Sequence, residues 1–166
     1  MLNVTKRSDW DINTYIDFTK ATKMMTPIYK IYKTFYLTDC DDVRFSSWCQ
    51  FLMKFSFFQM PCDIDIIRYF MRYDMKTHNI YDDRNNFYIS KFGAYEVRGW
   101  NLQPDYDSAL RGDFLFIGVI IRKYSSEESK RACRILFDRL IEDGKFLGKI
   151  SPDYDARADG HVWGLT

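Results

Sequence analysis

The fold is decided by residues 113–144, which read DFLFIGVIIRKYSSEESKRACRILFDRLIEDG. Residues 113–124 are apolar at nearly every position, which predicts a strand that is buried on both faces at the centre of a sheet. Residues 125–143 begin with two serines that can cap a helix, followed by two acids in the first turn. Gly144 predicts the end of that helix. The residues that the helix is expected to bury are Ala132, Leu136, Leu140 and Ile141.

The chain before this strand–helix unit predicts helices first and strands later. Helical spacing of apolar residues indicates helices over residues 10–25, 43–58 and 62–75, the last with Ile66, Ile67, Phe70 and Met71 on one face. Residues 28–37, IYKIYKTFYL, fit either a strand or a helix because short apolar runs carry both periods. Residues 79–90 predict a hairpin with its tip at residues 82–86, and residues 91–100 predict a third strand.

These elements predict one α+β domain over residues 1–166. We expect the N-terminal helices to pack on one face of a mainly antiparallel sheet, with the strand–helix unit of residues 113–143 following late in the chain. Residues 1–9 are expected to form a loose N-terminal segment.

Composition excludes several classes of protein. The chain of 166 residues is 46% apolar and has fourteen Phe, twelve Tyr and four Trp, so it is not a disordered chain. A net charge of +1 gives no strong nucleic-acid signal. No segment has the ~20 apolar residues of a membrane span, and the N-terminus has no apolar signal core. Four cysteines without a C-x-x-C pair indicate reduced thiols, so we expect a cytoplasmic or other reducing compartment.

The motif PDYD-x4-G occurs twice, at residues 104–112 and 152–160. We interpret both copies as turns leading into strands, because Pro fixes φ, Asp accepts hydrogen bonds from backbone amides and Gly tolerates positive φ. The alternative is a metal site formed by Asp153, Asp155 and Asp159. The spacing does not match an EF-hand, since Gly stands at the eighth loop position and not the sixth. The sequence therefore predicts no metal and no other cofactor.

Residues 114–144 resemble the central strand and following helix of acetyl-coenzyme A-dependent N-acetyltransferases. The resemblance implies acyl transfer, with backbone amides at the helix N-terminus holding the pyrophosphate of the coenzyme. The turn at residues 123–128 departs from that family, because it has no glycine and has two acids where phosphates would bind.

The favoured function is binding of another protein, without catalysis. Abundant Tyr and Trp together with twelve Arg are typical of interfaces. The chain would then be a small subunit of a larger assembly, or a virus- or phage-type factor that sequesters a host protein. Lys30 and Lys33 are interpreted as stems that cover aromatic surface. Enzymatic alternatives are a degenerate acyltransferase and an Asp-based metal-dependent hydrolase. The candidate partner-binding residues are Trp100, Tyr106, Arg111, Tyr154, Arg157 and Trp163.

Overall fold

The computed structural model describes residues 1–10, 23–38, 67–72, 75–76, 85–103, 114–122 and 127–158. The strands in these ranges are β1 (Val4–Thr5), β2 (Ile28–Thr38), β3 (Phe87–Ser90), β4 (Gly93–Glu96), β5 (Phe114–Arg122) and β6 (Ile150–Ala158). The helices are α1 (Arg7–Trp10), α2 (67–72) and α3 (Glu127–Phe146).

The predicted α+β class is confirmed, because helices accompany a mixed six-stranded sheet in the order β1-β4-β3-β5-β2-β6. The strand directions differ from the mainly antiparallel arrangement that we expected. Of the pairings among these strands, only β3–β4 is antiparallel, whereas β1–β4, β3–β5, β5–β2 and β2–β6 are parallel. Residues 28–37, which the sequence left open between strand and helix, form most of the long strand β2.

Strand β5 occupies the centre of the sheet, as its apolar sequence predicted. It pairs with β2 from Lys30↔Phe114 to Thr38↔Arg122 and with β3 on its other side. Both faces are covered: Leu115 is fully buried on one face, and Phe116 is 2% exposed on the other. A strand with neighbours on both edges and helices on both faces requires the continuous apolar run that this segment has.

Alternate strand residues face two separate cores. One core packs the sheet against α3 through side chains that include Ile31, Ile117 and Leu140. The other packs the opposite face against α1 and α2. In that core, Ile67, Phe70 and Met71 of α2 are buried, which confirms the helical face predicted for this part of residues 62–75. The predicted helix at residues 43–58 lies outside the described residues.

The N-terminal residues form β1 and α1, whereas the sequence predicts a loose segment over residues 1–9. Strand β1 pairs with β4 in parallel, with Val4 opposite Ala94. Trp10 is fully buried, and its indole Nε1 donates a hydrogen bond to the Glu96 carbonyl at 2.8 Å. The predicted helix over residues 10–25 does not reach Met25, since residues 23–25 are not helical; residues 11–22 lie outside the described ranges.

Helix α3 ends later than predicted. Gly144 lies inside the helix, and its missing Cβ leaves room for the Trp100 ring, since a methyl carbon at that position would be 2.6 Å from the ring. The helix is terminated by Gly148, whose φ of 71° is left-handed. The Lys149 amide donates to the Gly144 carbonyl at 2.8 Å, and the Gly148 amide donates to the Lys145 carbonyl at 3.0 Å. This pair of hydrogen bonds is the Schellman arrangement.

The observed hairpin lies later in the chain than the predicted one. Strands β3 and β4 pair from Phe87↔Glu96 to Ser90↔Gly93, so the turn falls at residues 91–92. Asn85 and Asn86, which the sequence predicts at an exposed tip, are fully buried. For these two residues the prediction was wrong, because Asn favours turns in general, whereas here the Asn86 side-chain amide satisfies buried backbone groups. Residues 79–84, the rest of the predicted first strand and tip, lie outside the described residues.

The second PDYD motif is part of a strand and not a turn before one. Residues 152–155 lie within β6, at one end of the described sheet. A proline is tolerated there because an edge strand has one row of amides without ladder partners. The first copy, at residues 104–112, lies outside the described residues.

Candidate functional site

A groove opens between α3 and the sheet, where β2, β5 and β6 run parallel. We call it the α3 groove; its volume is about 260 Å³. Its strand residues come from the middle and carboxyl-terminal parts of the three strands, which is where ligands bind in many sheets of parallel strands. The described lining residues are Lys33, Phe35, Val119, Ile121, Lys130, Cys133, Arg134, Phe137, Asp138, Tyr154 and Ala156.

The floor of the α3 groove is apolar. It is formed by Phe35 of β2, Val119 and Ile121 of β5, and Phe137 of α3. The strand residues have odd numbers because side chains two apart point to the same face of a strand. Val119, Ile121 and Phe137 are 4%, 5% and 7% exposed, so the floor is continuous with the core beneath α3.

The helix side of the groove is charged. Lys130, Arg134 and Asp138 follow one another at intervals of four residues, which places them in one row along α3. The Lys130 ammonium lies 3.4 Å from a Glu127 carboxylate oxygen whose side chain is 85% exposed, so water screens this pair. Two cations and one acid therefore border the groove along this helix.

Lys33 supplies a third cation from the sheet side. Its Nζ lies 4.9 Å from the centroid of the Phe137 ring. Burial lowers the pKa of Lys33, Arg134 lowers it further, and the carboxylate of Asp138 acts in the opposite direction. The ammonium is thus partly stripped of water beside an aromatic ring, and an incoming anion would compensate for that loss.

Lys30 occupies the other face of β2. Its Nζ lies 5.4 Å from the centroid of the Phe114 ring, so both lysines cover aromatic rings as their spacing among aromatic residues predicted. Tyr32 stacks on Phe116 at 5.0 Å and contacts Phe114 at 5.5 Å. These four residues, Lys30, Tyr32, Phe114 and Phe116, form what we call the aromatic face.

Two of the predicted partner-binding residues have described side chains with aromatic contacts. Tyr154 lines the α3 groove, and the Lys145 ammonium lies 5.0 Å from its ring centroid. Trp100 lies elsewhere, partly buried with its ring 4.8 Å from that of Phe87. The structure gives Trp100 a packing contact beneath α3, and its role in binding stays a prediction.

The other candidates are placed only in part. Arg157 belongs to β6 and pairs with Tyr32 of β2. Tyr106, Arg111 and Trp163 lie outside the described residues, so their roles stay predictions.

Two of the three carboxylates proposed as metal ligands lie on β6, at one end of the described sheet. Asp155 is exposed and pairs with Lys30 of β2, on the face opposite to the groove, whereas Asp153 is exposed in the irregular part of β6 between its pairings with Ile28 and Lys30. Asp159 lies outside the described residues. Within the described ranges, no three His, Cys, Asp or Glu side chains are grouped closely enough to hold a metal ion.

Sequence reasoning did not single out most of the groove. Lys33 and Phe137 are far apart in the chain and become neighbours only when α3 packs across β2. One signal was present in the sequence: the row of Lys130, Arg134 and Asp138 repeats every four residues on the amphipathic helix. Cys133, from the same helix, contributes a buried thiol to the groove. In the parts of the chain that the structure covers, no helix is both long and apolar enough to cross a membrane.

Comparison with known structures identifies the architecture. The chain matches peptidoglycan recognition protein SA of Drosophila with a TM-score of 0.70 and 17% identity, over 99% of this chain and 84% of that one. It matches peptidoglycan recognition protein 1 of Manduca sexta with a TM-score of 0.68 and 22% identity, over 94% and 78% of the two chains. The chain has the fold of the peptidoglycan recognition proteins.

A third structure with this peptidoglycan-recognition fold contains a ligand. It is peptidoglycan recognition protein LE in complex with tracheal cytotoxin, a monomeric diaminopimelic acid-type peptidoglycan. Its TM-score is 0.63 at 19% identity, over 93% of this chain and 81% of that one. At such identities the likeness establishes the fold. No family model and no curated protein sequence matches the chain.

The match in fold spans nearly the whole chain, whereas the acetyltransferase resemblance concerned residues 114–144 alone. Residues 123–126, the turn that would have to hold the coenzyme, lie outside the described part of the structure.

Proposed function

We propose that this chain is a binding module that recognises fragments of peptidoglycan. The observation that supports the proposal most strongly is the likeness in fold to peptidoglycan recognition proteins over up to 99% of the chain. Two of the similar structures contain tracheal cytotoxin, one in complex with protein LE and one bound to the paired ectodomains LCa and LCx.

The aromatic face offers chemistry suited to such a ligand. Peptidoglycan fragments combine sugar rings, which have apolar faces, with peptide carboxylates. Tyr32 and Phe114 are partly exposed and present ring surface against which a sugar can pack. Lys30 beside them can donate to a carboxylate. We therefore expect the ligand to contact this face of β2 and β5.

Co-sedimentation with insoluble peptidoglycan tests the proposal. The protein should pellet with purified peptidoglycan, remain in the supernatant with cellulose or chitin, and be released by an excess of a soluble monomeric fragment. The Lys30→Met variant should bind about tenfold more weakly, because one charge-assisted hydrogen bond is lost. Lys33→Met is the matched control, since it removes the same charge from the opposite face of the same strand and should leave binding unchanged.

The proposal is wrong if the protein stays in the supernatant with peptidoglycan as it does with cellulose. Chemical analysis of the soluble monomeric fragment after incubation with the protein separates binding from catalysis, because a binding module leaves the fragment intact. New reducing ends or new amino termini in the fragment would instead support a hydrolase.

The sequence-based alternative is that the partner is another protein, in an assembly or in an infected host. Its structural support is exposed apolar surface at the end of α3, where Phe146 is 83% exposed and Leu147 follows it. Affinity capture from the native source followed by mass spectrometry tests this alternative. A stoichiometric protein partner whose capture is abolished by Phe146→Ser, with no retention on peptidoglycan, would replace peptidoglycan as the ligand.

A further inference from the structure

We propose that the α3 groove binds a medium-chain aliphatic carboxylate. The site is separate from the aromatic face, because it lies on the other side of the sheet beneath α3. The inference goes beyond peptidoglycan recognition and does not depend on it.

The charged side chains around the groove favour binding of an anion. Among the described lining residues, Lys33, Lys130 and Arg134 are cationic and Asp138 is acidic. Lys33 approaches from the sheet and Arg134 and Lys130 from α3, so an anionic head between them would meet positive charge from two elements. Asp138, and Glu127 beside Lys130, offset part of that charge and leave an excess of one cation around the groove. The partly desolvated ammonium of Lys33 gains most from such a partner, since charge-assisted hydrogen bonds are stronger where water is scarce.

The apolar floor of the α3 groove favours binding of an aliphatic chain. Phe35, Val119, Ile121 and Phe137 present only carbon atoms from their side chains to the groove. A sugar or a peptide backbone lying on these residues would leave its polar groups without hydrogen-bond partners, which is costly. A hydrocarbon chain carries no such groups and gains free energy for each methylene that it buries.

The size and position of the groove agree with a small ligand. Its volume of about 260 Å³ is slightly smaller than the about 300–1,000 Å³ of most ligand pockets, which suits a ligand smaller than a drug-sized molecule. Its strand residues lie in the middle and carboxyl-terminal parts of parallel strands, and small ligands often bind at that end of such sheets.

Calorimetric titration with octanoate, below its micelle-forming concentration, tests the assignment. Octanoate should bind saturably, whereas 1-octanol, which has the tail without the charge, and acetate, which has the charge without the tail, should each bind at least about tenfold more weakly. Lys33→Met should weaken octanoate binding about tenfold. Lys30→Met, the matched lysine on the opposite face of β2, should leave it unchanged.

A second variant keeps the test decisive if Lys33→Met perturbs folding. Ala156 lines the groove from the exposed edge strand β6, and Ala156→Trp should fill the space and abolish octanoate binding. Circular dichroism of each variant confirms that it is folded.

The assignment is overturned by any of four results. These are no saturable octanoate binding, equal affinity for octanol and octanoate, an equal loss in Lys30→Met and Lys33→Met, or undiminished binding in Ala156→Trp. Tighter binding of a short peptide with an apolar C-terminal residue and a free carboxylate would also overturn it, by replacing the fatty acid with a peptide terminus. Retention on peptidoglycan is measured separately, so the two proposals can fail independently.

Discussion

The substitution Gly118→Ala places a methyl group where the central strand has no room for one. Gly118 lies in β5, and a Cβ at this position would be 2.7 Å from two ring carbons of Tyr88 and 2.8 Å from a ring carbon of Tyr36. Both tyrosines are buried and pack against each other at 5.6 Å between ring centroids. Neither ring is the end of a long flexible side chain, so relief requires movement of β2 or β3.

The expected cost follows from the two opposing contributions. Inserting a methyl group into a packed core lowers the free energy of unfolding by about 1–3 kcal/mol. Replacing glycine by alanine raises it by about 0.4–1 kcal/mol, because alanine restricts the unfolded chain. We therefore expect Gly118→Ala to lower the free energy of unfolding by about 1–2 kcal/mol. For a chain of this length, the melting temperature should fall by about 2–8 °C.

Urea denaturation followed by circular dichroism measures the difference. Gly93→Ala is the matched control, because Gly93 lies in β4 with no atom within 4 Å of a Cβ, and its unfolding free energy should change by less than about 0.5 kcal/mol. In a double-mutant cycle, Tyr36→Leu should reduce the cost of Gly118→Ala. Equal stabilities for Gly118→Ala and Gly93→Ala would refute the packing described for the central strand.

Two further predictions concern buried polar groups. The side chain of Asn86 accepts a hydrogen bond from the Phe116 amide at 3.0 Å and donates to the Gly99 and Leu102 carbonyls at 3.0 and 2.8 Å. Asn86→Ala should therefore lower the unfolding free energy by about 3 kcal/mol or more in urea denaturation, and a loss below about 1 kcal/mol would contradict this role. Because burial lowers the pKa of Lys33, its ammonium costs stability at neutral pH, and the cost disappears as the pH rises from the lowered pKa toward the ordinary 10.5. The native protein should thus gain stability relative to Lys33→Met over that range, and a constant difference in unfolding free energy would contradict the shift.

The sequence predicted the helix and the strand whose apolar residues follow a clear pattern. Residues 113–124 and 125–143 correspond to β5 and α3, since a strand covered on both faces and a helix covered on one each leave a clear apolar pattern. Residues 28–37 could not be assigned because their pattern fits both periods. Pairing with the central strand along nine residue pairs settles β2 as a strand.

The sequence could not predict features that depend on distant neighbours. The direction of strand pairing is set by the connections between strands and not by any strand's own residues, so the parallel pairs were missed. Gly144 and Gly148 are both credible helix ends by sequence, and the contact of Trp100 with Gly144 distinguishes them only in three dimensions. The sequence around Asn86 is typical of a turn, and only the structure shows its hydrogen bonds to β5 and to Gly99.

The candidate site was predictable to a smaller extent than the fold. Tyr154 was singled out and lines the α3 groove. The remaining lining residues come from separate elements, and each reads alone as an ordinary core or surface residue. The groove forms because α3 packs against β2, β5 and β6, which are distant in the chain. No local sequence pattern predicts that packing.

The central proposal is tested most directly by titrating the protein with a monomeric diaminopimelic acid-type peptidoglycan fragment in a calorimeter. We expect saturable binding of one fragment per chain, preserved in Lys33→Met and weakened in Lys30→Met. Absence of heat at millimolar fragment, together with an unchanged melting temperature, would contradict it, since a ligand that binds the native state must raise that temperature.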